Sequence, residues 1–181
     1  MLLAALYLAA QERPGDLCEF DGFDVKIVLG ELRPSEAILV YRTKGEWTCG
    51  YVSKRNGAGP EWVRSRDVHL LSIDTNPPAA AWIGTWVNGL SKITIRTSKN
   101  AGKLSVEGSG IWKGLGGVVH TGDFEGDAAP MGNRLHLADG GAESCRVDLT
   151  LAGRYIVADD NSQCGGMNVR FWGIWRKEAK R

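Results

Sequence analysis

The chain of 181 residues is poor in the combinations that build reaction centres. Its three histidines, at 69, 120 and 136, form no ligand cluster. None of its serines stands in a Gly-x-Ser-x-Gly setting, so a nucleophile elbow is absent. No Cys-x-x-Cys pair occurs, which argues against a zinc ribbon or a thioredoxin-like site. Asp159-Asp160-Asn161 lacks the spacing of a calcium loop and reads as a polar turn held by side-chain-to-backbone bonds. Neither half carries a basic excess that suits nucleic acid: residues 1–78 hold nine basic and eleven acidic side chains, and the other 103 hold thirteen and ten. The apolar run at residues 2–10 is too short to cross a bilayer. These absences lead us to expect no cofactor, no metal, no nucleic-acid partner and no membrane span.

Glycine is abundant instead, at 24 residues, and seven residues are tryptophan. Frequent glycine between short apolar runs predicts an all-β chain with many turns. Strand candidates in the first part are residues 25–29, 37–42, 46–52, 61–64 and 67–71, with a loop at 56–60. Asp74-Thr75-Asn76-Pro77-Pro78 and the alanines after it predict a linker over 75–81. The second part supplies eight candidates: 82–87, 92–97, 103–107, 118–124, 134–137, 145–151, 154–158 and 167–175. Ile93 and Ile95, Leu104 and Val106, and Val147, Leu149 and Leu151 alternate with polar neighbours, so each strand has one buried and one wet face. Short connections then imply an antiparallel meander, and eight such strands close into a barrel. In the last strand Met167, Val169 and Phe171 share a face, and Gly173 marks a bulge or a close backbone approach.

Four cysteines fall two and two between the halves. Three connectivities are open. Cys18–Cys49 with Cys145–Cys164 keeps each bridge inside one half and is preferred; four buried thiols are the alternative. Pairing outward from the Ala152-Gly153 turn sets Cys145 opposite Asp160, with Cys164 in a loop that folds back. That bridge closes a loop of about 20 residues, worth on the order of 3 kcal/mol in the chain-entropy account. Residues 2–10 resemble the apolar region of a secretory signal, although no Lys or Arg precedes them. Residues 1–14 are therefore expected to be a truncated leader, with a buried helix or strand as the alternative. Together with the cysteines this predicts a periplasmic or secreted protein.

Gly45-Glu46-Trp47, Cys49-Gly50-Tyr51, Trp62-Val63 and Val68-x-Leu70-Leu71 resemble a bacterial SH3-like domain over residues 15–74. The resemblance implies a small five-stranded barrel that binds an extended peptide or a cell-wall component in an aromatic groove. Tyr41, Trp47, Tyr51 and Trp62 are the groove candidates; the alternative is that Trp47 and Trp62 fill the core. Residues 82–176 resemble the calycin-like group of lipocalins, avidins and small exported bacterial relatives, through Gly84-Thr85-Trp86, the meander and a last strand ending in Arg176, ahead of a charged tail at 177–181. That resemblance implies that Arg176 packs over Trp86 and closes one barrel end.

The glycine-rich residues 108–117 read as a flap at the barrel mouth, with Trp112 as an anchor for a ligand or protein partner. The alternative is a long hairpin whose tryptophan packs back on the barrel. His120 reads as a wall or rim residue. The expected function is a non-catalytic extracytoplasmic binding protein, not an enzyme. The SH3-like half engages a peptide, protein or cell-wall component, and the barrel serves as a binding or scaffold module. Two other readings are an inhibitor of a lytic enzyme or protease that presents residues 108–117, and a small-ligand carrier that uses the barrel interior.

Overall fold

The computed structural model describes residues 13–18, 28–33, 36–54, 57–138, 140–141 and 144–179. Most of the leader, the front of the first strand candidate at 25–27, Asn56 and the last two residues of the tail lie outside the described residues. The chain divides into two compact units, residues 1–71 and 72–181.

The first unit is a five-stranded antiparallel sheet. It comprises β1 (Leu29–Arg33), β2 (Glu36–Lys44), β3 (Trp47–Lys54), β4 (Gly57–Arg64) and a short β5 (His69–Leu70). β1 to β4 form a meander, and β5 returns to pair with β1, giving the order β4-β3-β2-β1-β5. β1 meets the strand candidate at 25–29 only at Leu29. The segment expected as a loop at 57–60 is instead the first half of β4, where Pro60 pairs opposite Tyr51. A proline fits there because β4 is an edge strand and one side of its backbone needs no partner. Ile38 and Val52 are cross-strand partners on one face of the sheet, and Cys49 and Trp62 are partners on the other.

The second unit opens with a short helix, α1 (Ala79–Trp82), in the segment expected as a linker. Eight antiparallel strands follow: β6 (Gly84–Asn88), β7 (Ser91–Thr97), β8 (Leu104–Lys113), β9 (Val119–Ala128), β10 (Arg134–Ala138), β11 (Arg146–Ala152), β12 (Tyr155–Asp160) and β13 (Gly173–Lys177). Their order, β10-β11-β12-β13-β6-β7-β8-β9, wraps first strand onto last into a nearly closed barrel. The expected alternation holds: Ile93, Ile95, Leu104, Val106, Val147, Leu149 and Leu151 are all buried in one core.

Further elements of this unit differ from the sequence reading. Residues 108–113 are strand, so the long-hairpin alternative with Trp112 packed back on the barrel holds and the flap does not, because Gly108 and Gly110 leave room for rings. A Cβ on Gly108 would lie 2.0 Å from Phe124 Cε1, and one on Gly110 would lie 2.7 Å from Val169 Cγ1 and 3.1 Å from Phe171 Cζ. The β11–β12 hairpin pairs Ala152 with Tyr155 and Val147 with Asp160, two residues out of the expected register. Its turn has positive φ at Gly153 (63°), and Ala152 becomes the last residue of β11. Lys177 lies over the Trp86 ring, with Nζ 5.1 Å from the centroid, and Arg176 is paired in the ladder with Val87. Lys177 also donates to the Ala81 carbonyl at 3.1 Å.

The largest difference is at the C-terminal end. The last strand begins at Gly173, and residues 161–172 form a loop that plugs the barrel. Val169 and Phe171 are buried as expected, while Met167 is 74% exposed. The cause is Asp160. Its side chain is 1% exposed and accepts hydrogen bonds from the backbone N–H groups of Ser162, Phe171 and Trp172 and from Arg170 Nε at 3.0 Å. Three donors that a ladder would have used are drawn to one carboxylate. The Cys145–Cys164 disulfide ties the same loop to the start of β11.

Asp160→Ala strands these donors, each charge-assisted bond contributing about 1.5–3 kcal/mol. We expect the barrel to lose about 3 kcal/mol or more, with Asp160→Asn losing less because an acceptor remains. Urea unfolding followed by tryptophan fluorescence measures both. A loss under about 1 kcal/mol for the alanine variant would remove Asp160 as the anchor.

Candidate functional site

Each unit offers one candidate surface. In the first, the Cys18–Cys49 disulfide and Trp62 form a buried cluster against which Tyr41 and Trp47 pack. Trp62 is 5% exposed, so it fills the core and lines no groove. Its Nε1 donates to the Asp16 carbonyl at 2.9 Å, and Arg42 lies 5.3 Å over its ring. Asp16 is fixed in turn by Lys44 (3.1 Å) and Arg42 (3.3 Å), and the Lys44 hydrogen bond holds its carboxyl below the usual range. The segment carrying Cys18 is thus clamped to the sheet beside Trp62. Trp47 is half-buried beneath the Arg64 guanidinium, 4.1 Å from the ring centroid. Three of the four expected groove aromatics, Tyr41, Trp47 and Trp62, are therefore gathered, but as packing around the disulfide. Tyr41 and Tyr51 are half-exposed and close enough to influence each other.

The other side of the sheet carries a feature that the sequence did not announce. A cleft of about 480 Å³ is lined by Arg33, Glu36, Lys54, Glu61, Arg66, Asp67 and His69, with Leu32 and Val63 also lining it. Lys54 Nζ bridges both carboxylate oxygens of Glu61 at 2.7 Å. Arg33 and Glu36 approach only to 3.9 Å, and Arg66 and Asp67 to 4.0 Å, so these charges are loosely paired. The cleft suits a polar ligand bearing charges of both signs. It draws on β1 to β5 and on the turn between β4 and β5 through ordinary charged residues, which in sequence look like any solvated surface.

In the second unit the candidate surface is the β8–β9 end of the barrel. Trp112 is half-buried, packs against the core, lies 5.2 Å from the His120 ring and covers Gly114. His120 Nδ1 hydrogen-bonds the Met167 carbonyl and couples the hairpin to the plug loop, so His120 is a rim residue. The fully exposed side chain is not Trp112 but Leu115, at 98%, in the tip between β8 and β9. The barrel interior is filled by Trp82, Trp86, Phe124, Phe171 and Trp175 among others.

A row missed by sequence reading runs across the outer face of β10, β11 and β12. His136, Asp148 and Asp159 are aligned in register, with His136 Nδ1 2.7 Å from Asp148. Burial raises the Asp159 carboxyl above its ordinary value, and the nearby Asp160 and Asp148 add to this. Among the described residues no group of three or more His, Cys, Asp or Glu is arranged to hold a metal ion. A scan of the chain against protein-family models, curated proteins and solved structures finds no match.

Trp62→Ala should destabilise the first unit by about 3–5 kcal/mol, as expected for truncating a large core aromatic. Denaturant midpoints measure it, and an unchanged midpoint would return Trp62 to the surface. Alkaline titration offers a second check. Burial pushes the Tyr41 phenol up to about 12, with Tyr51 adding to the shift, and burial raises Tyr51 as well. The unfolded chain ionises near the ordinary value of about 10. The neutral phenols therefore favour the folded unit below that pH, and the advantage is lost as pH rises towards 12. Tyrosinate absorbance should show late-ionising phenols, and Tyr41→Phe should remove the last of them.

Proposed function

We propose that the chain is a non-catalytic, extracytoplasmic binding protein whose first unit is an SH3-like module for an extended peptide or cell-wall component. The charge-lined cleft carries this reading. It presents ammonium, guanidinium and carboxylate groups around two apolar side chains, Leu32 and Val63. A peptide with charges of both signs is complementary to that lining. The five-stranded meander with β5 returning to β1 supports the SH3-like resemblance, and the barrel supports the calycin-like one. The burial of Trp62 moves the proposed contact from the aromatic face to the cleft on the other face. Two disulfides support export, since such bonds persist in oxidising compartments. Among the described residues no helix is long and apolar enough to cross a membrane.

The barrel is assigned here as a scaffold and not as a carrier, because bulky aromatic side chains occupy its core. The inhibitor reading called for a broad loop at 108–117, but most of that segment is strand, and only residues 114–118 project beyond β8 and β9.

Retention of the full chain on insoluble peptidoglycan tests the proposal. Arg66→Glu combined with Asp67→Lys alters the cleft at exposed positions, and retention should fall about tenfold, or 1.4 kcal/mol. The swap Lys54→Glu with Glu61→Lys keeps the ion pair and controls for stability. Full retention by both variants would sink the reading.

A further inference from the structure

We propose that the β8–β9 end of the barrel is a lipid-contact surface, which seats its apolar tips in the interface of a bilayer carrying anionic headgroups. In an up-and-down barrel, alternate connections lie at the same end. The β6–β7 turn, the β8–β9 tip and the plug loop between β12 and β13 are three such connections. All three expose apolar side chains: Leu90 from the first, Leu115 and Val118 from the second and Met167 from the third. Ile111 and Val119, on the outer face of the hairpin, are exposed beside them. Apolar side chains contributed by three separate loops offer an area that a lipid interface can take up.

The surface is held in place. The inner face of the hairpin rests on the plug loop, where a Cβ on Gly122 would meet the Cys164 carbonyl at 2.2 Å and Gly165 Cα at 2.6 Å. Gly166 N–H donates to the Thr121 carbonyl at 3.0 Å, and the Cys145–Cys164 disulfide anchors the loop from the other side. The base of the hairpin and the plug loop are therefore fixed against each other.

Charge favours the same occupant. Counting outward-facing rows from the tip, the pair Lys113 and Val119 comes first, then Ile111 and Thr121. These rows hold one cation and no acid. The first acid on β9 is Asp123, level with Ser109 and, beyond it, Lys92. Lys113, in the first of these rows, has a long apolar stem that lets its ammonium reach anionic headgroups from an apolar surface.

Flotation of the full chain tests this, with vesicles of phosphatidylcholine alone or mixed with phosphatidylglycerol. The wild-type chain should float with the anionic vesicles. Leu115→Asp should cut partitioning at least tenfold without changing the far-ultraviolet circular dichroism. Lys113→Gln should weaken binding to the anionic vesicles only and flatten its salt dependence. A wild-type chain that stays lipid-free with both vesicles, or a Leu115→Asp variant that floats equally well, overturns the proposal. A dimer in sedimentation that Leu115→Asp converts to a monomer, without vesicle uptake, assigns the tip to a second copy instead. Peptidoglycan retention through the cleft is read separately, so either proposal can fail alone.

Discussion

Asp160 ends β12 with its carboxylate inside the barrel, opposite Val147. A buried charge is costly unless it is paired and fully hydrogen-bonded. Here the pairing comes from Arg170 and from backbone donors at 162, 171 and 172. To deliver them, the chain must leave the strand after Asp160, turn through positive φ at Ser162 (65°) and Asn168 (67°), and return with Phe171 in the core. The plug follows from that requirement. So does the position of β13, which can begin only once Trp172 has been captured. Trp175 then donates its Nε1 to the Phe171 carbonyl at 2.8 Å and stacks on the Phe171 ring, locking plug and strand together.

This explains where reading the sequence succeeded and where it failed. Period-two alternation is local, and wherever a strand's inner face meets only core, as in β7, β10 and β11, it is legible in the residues themselves. The side-chain-to-backbone bonds at 159–161 were legible too, because Asp and Asn bond the backbone one or two residues on, although Asp159 and Asp160 end β12 and the turn follows them. The reach of the Asp160 carboxylate to residues eleven and twelve positions later has no local signature. Met167, Val169 and Phe171 alternate as a strand would, yet they alternate in a loop. The glycines of β8 misled for the same reason. Glycine usually weakens a strand, but Gly108 and Gly110 are empty because Phe124, Val169 and Phe171 occupy their side-chain space, and two of those three residues come from the plug.

The small sheet shows the opposite error, a site expected where the core needed volume. A unit this size has few ways to close its interior, and large side chains beside a disulfide are the available ones. Trp62 and Trp47 were visible as aromatics, but the residues that cover them were not. Arg42, Arg64 and the Asp16 carbonyl come from other segments, and their positions depend on pairing between strands. The charged cleft was illegible for a related reason. Lys54 is level with Gly57 and Glu61 with Gly50, so the two side chains share a face and reach each other only once β3 and β4 pair.

Tryptophan, the residue that first suggested recognition, turns out to be spent largely on closure. Trp62, Trp82, Trp86 and Trp175 are all buried, and three of their indoles donate to backbone carbonyls at 2.8–3.0 Å. The Trp86 donor reaches the Trp82 carbonyl just as Trp175 reaches that of Phe171, each four residues back, so each indole ties a barrel strand to the segment that leads into it. The recognition proposed above falls to groups with less conspicuous chemistry: mixed charges around a cleft in one unit, and aliphatic tips at a barrel end in the other. Both sit on backbone that is already ordered by ladders and disulfides. A partner that binds there meets a surface whose ordering cost was met on folding, which is the condition under which small contact areas give useful affinity.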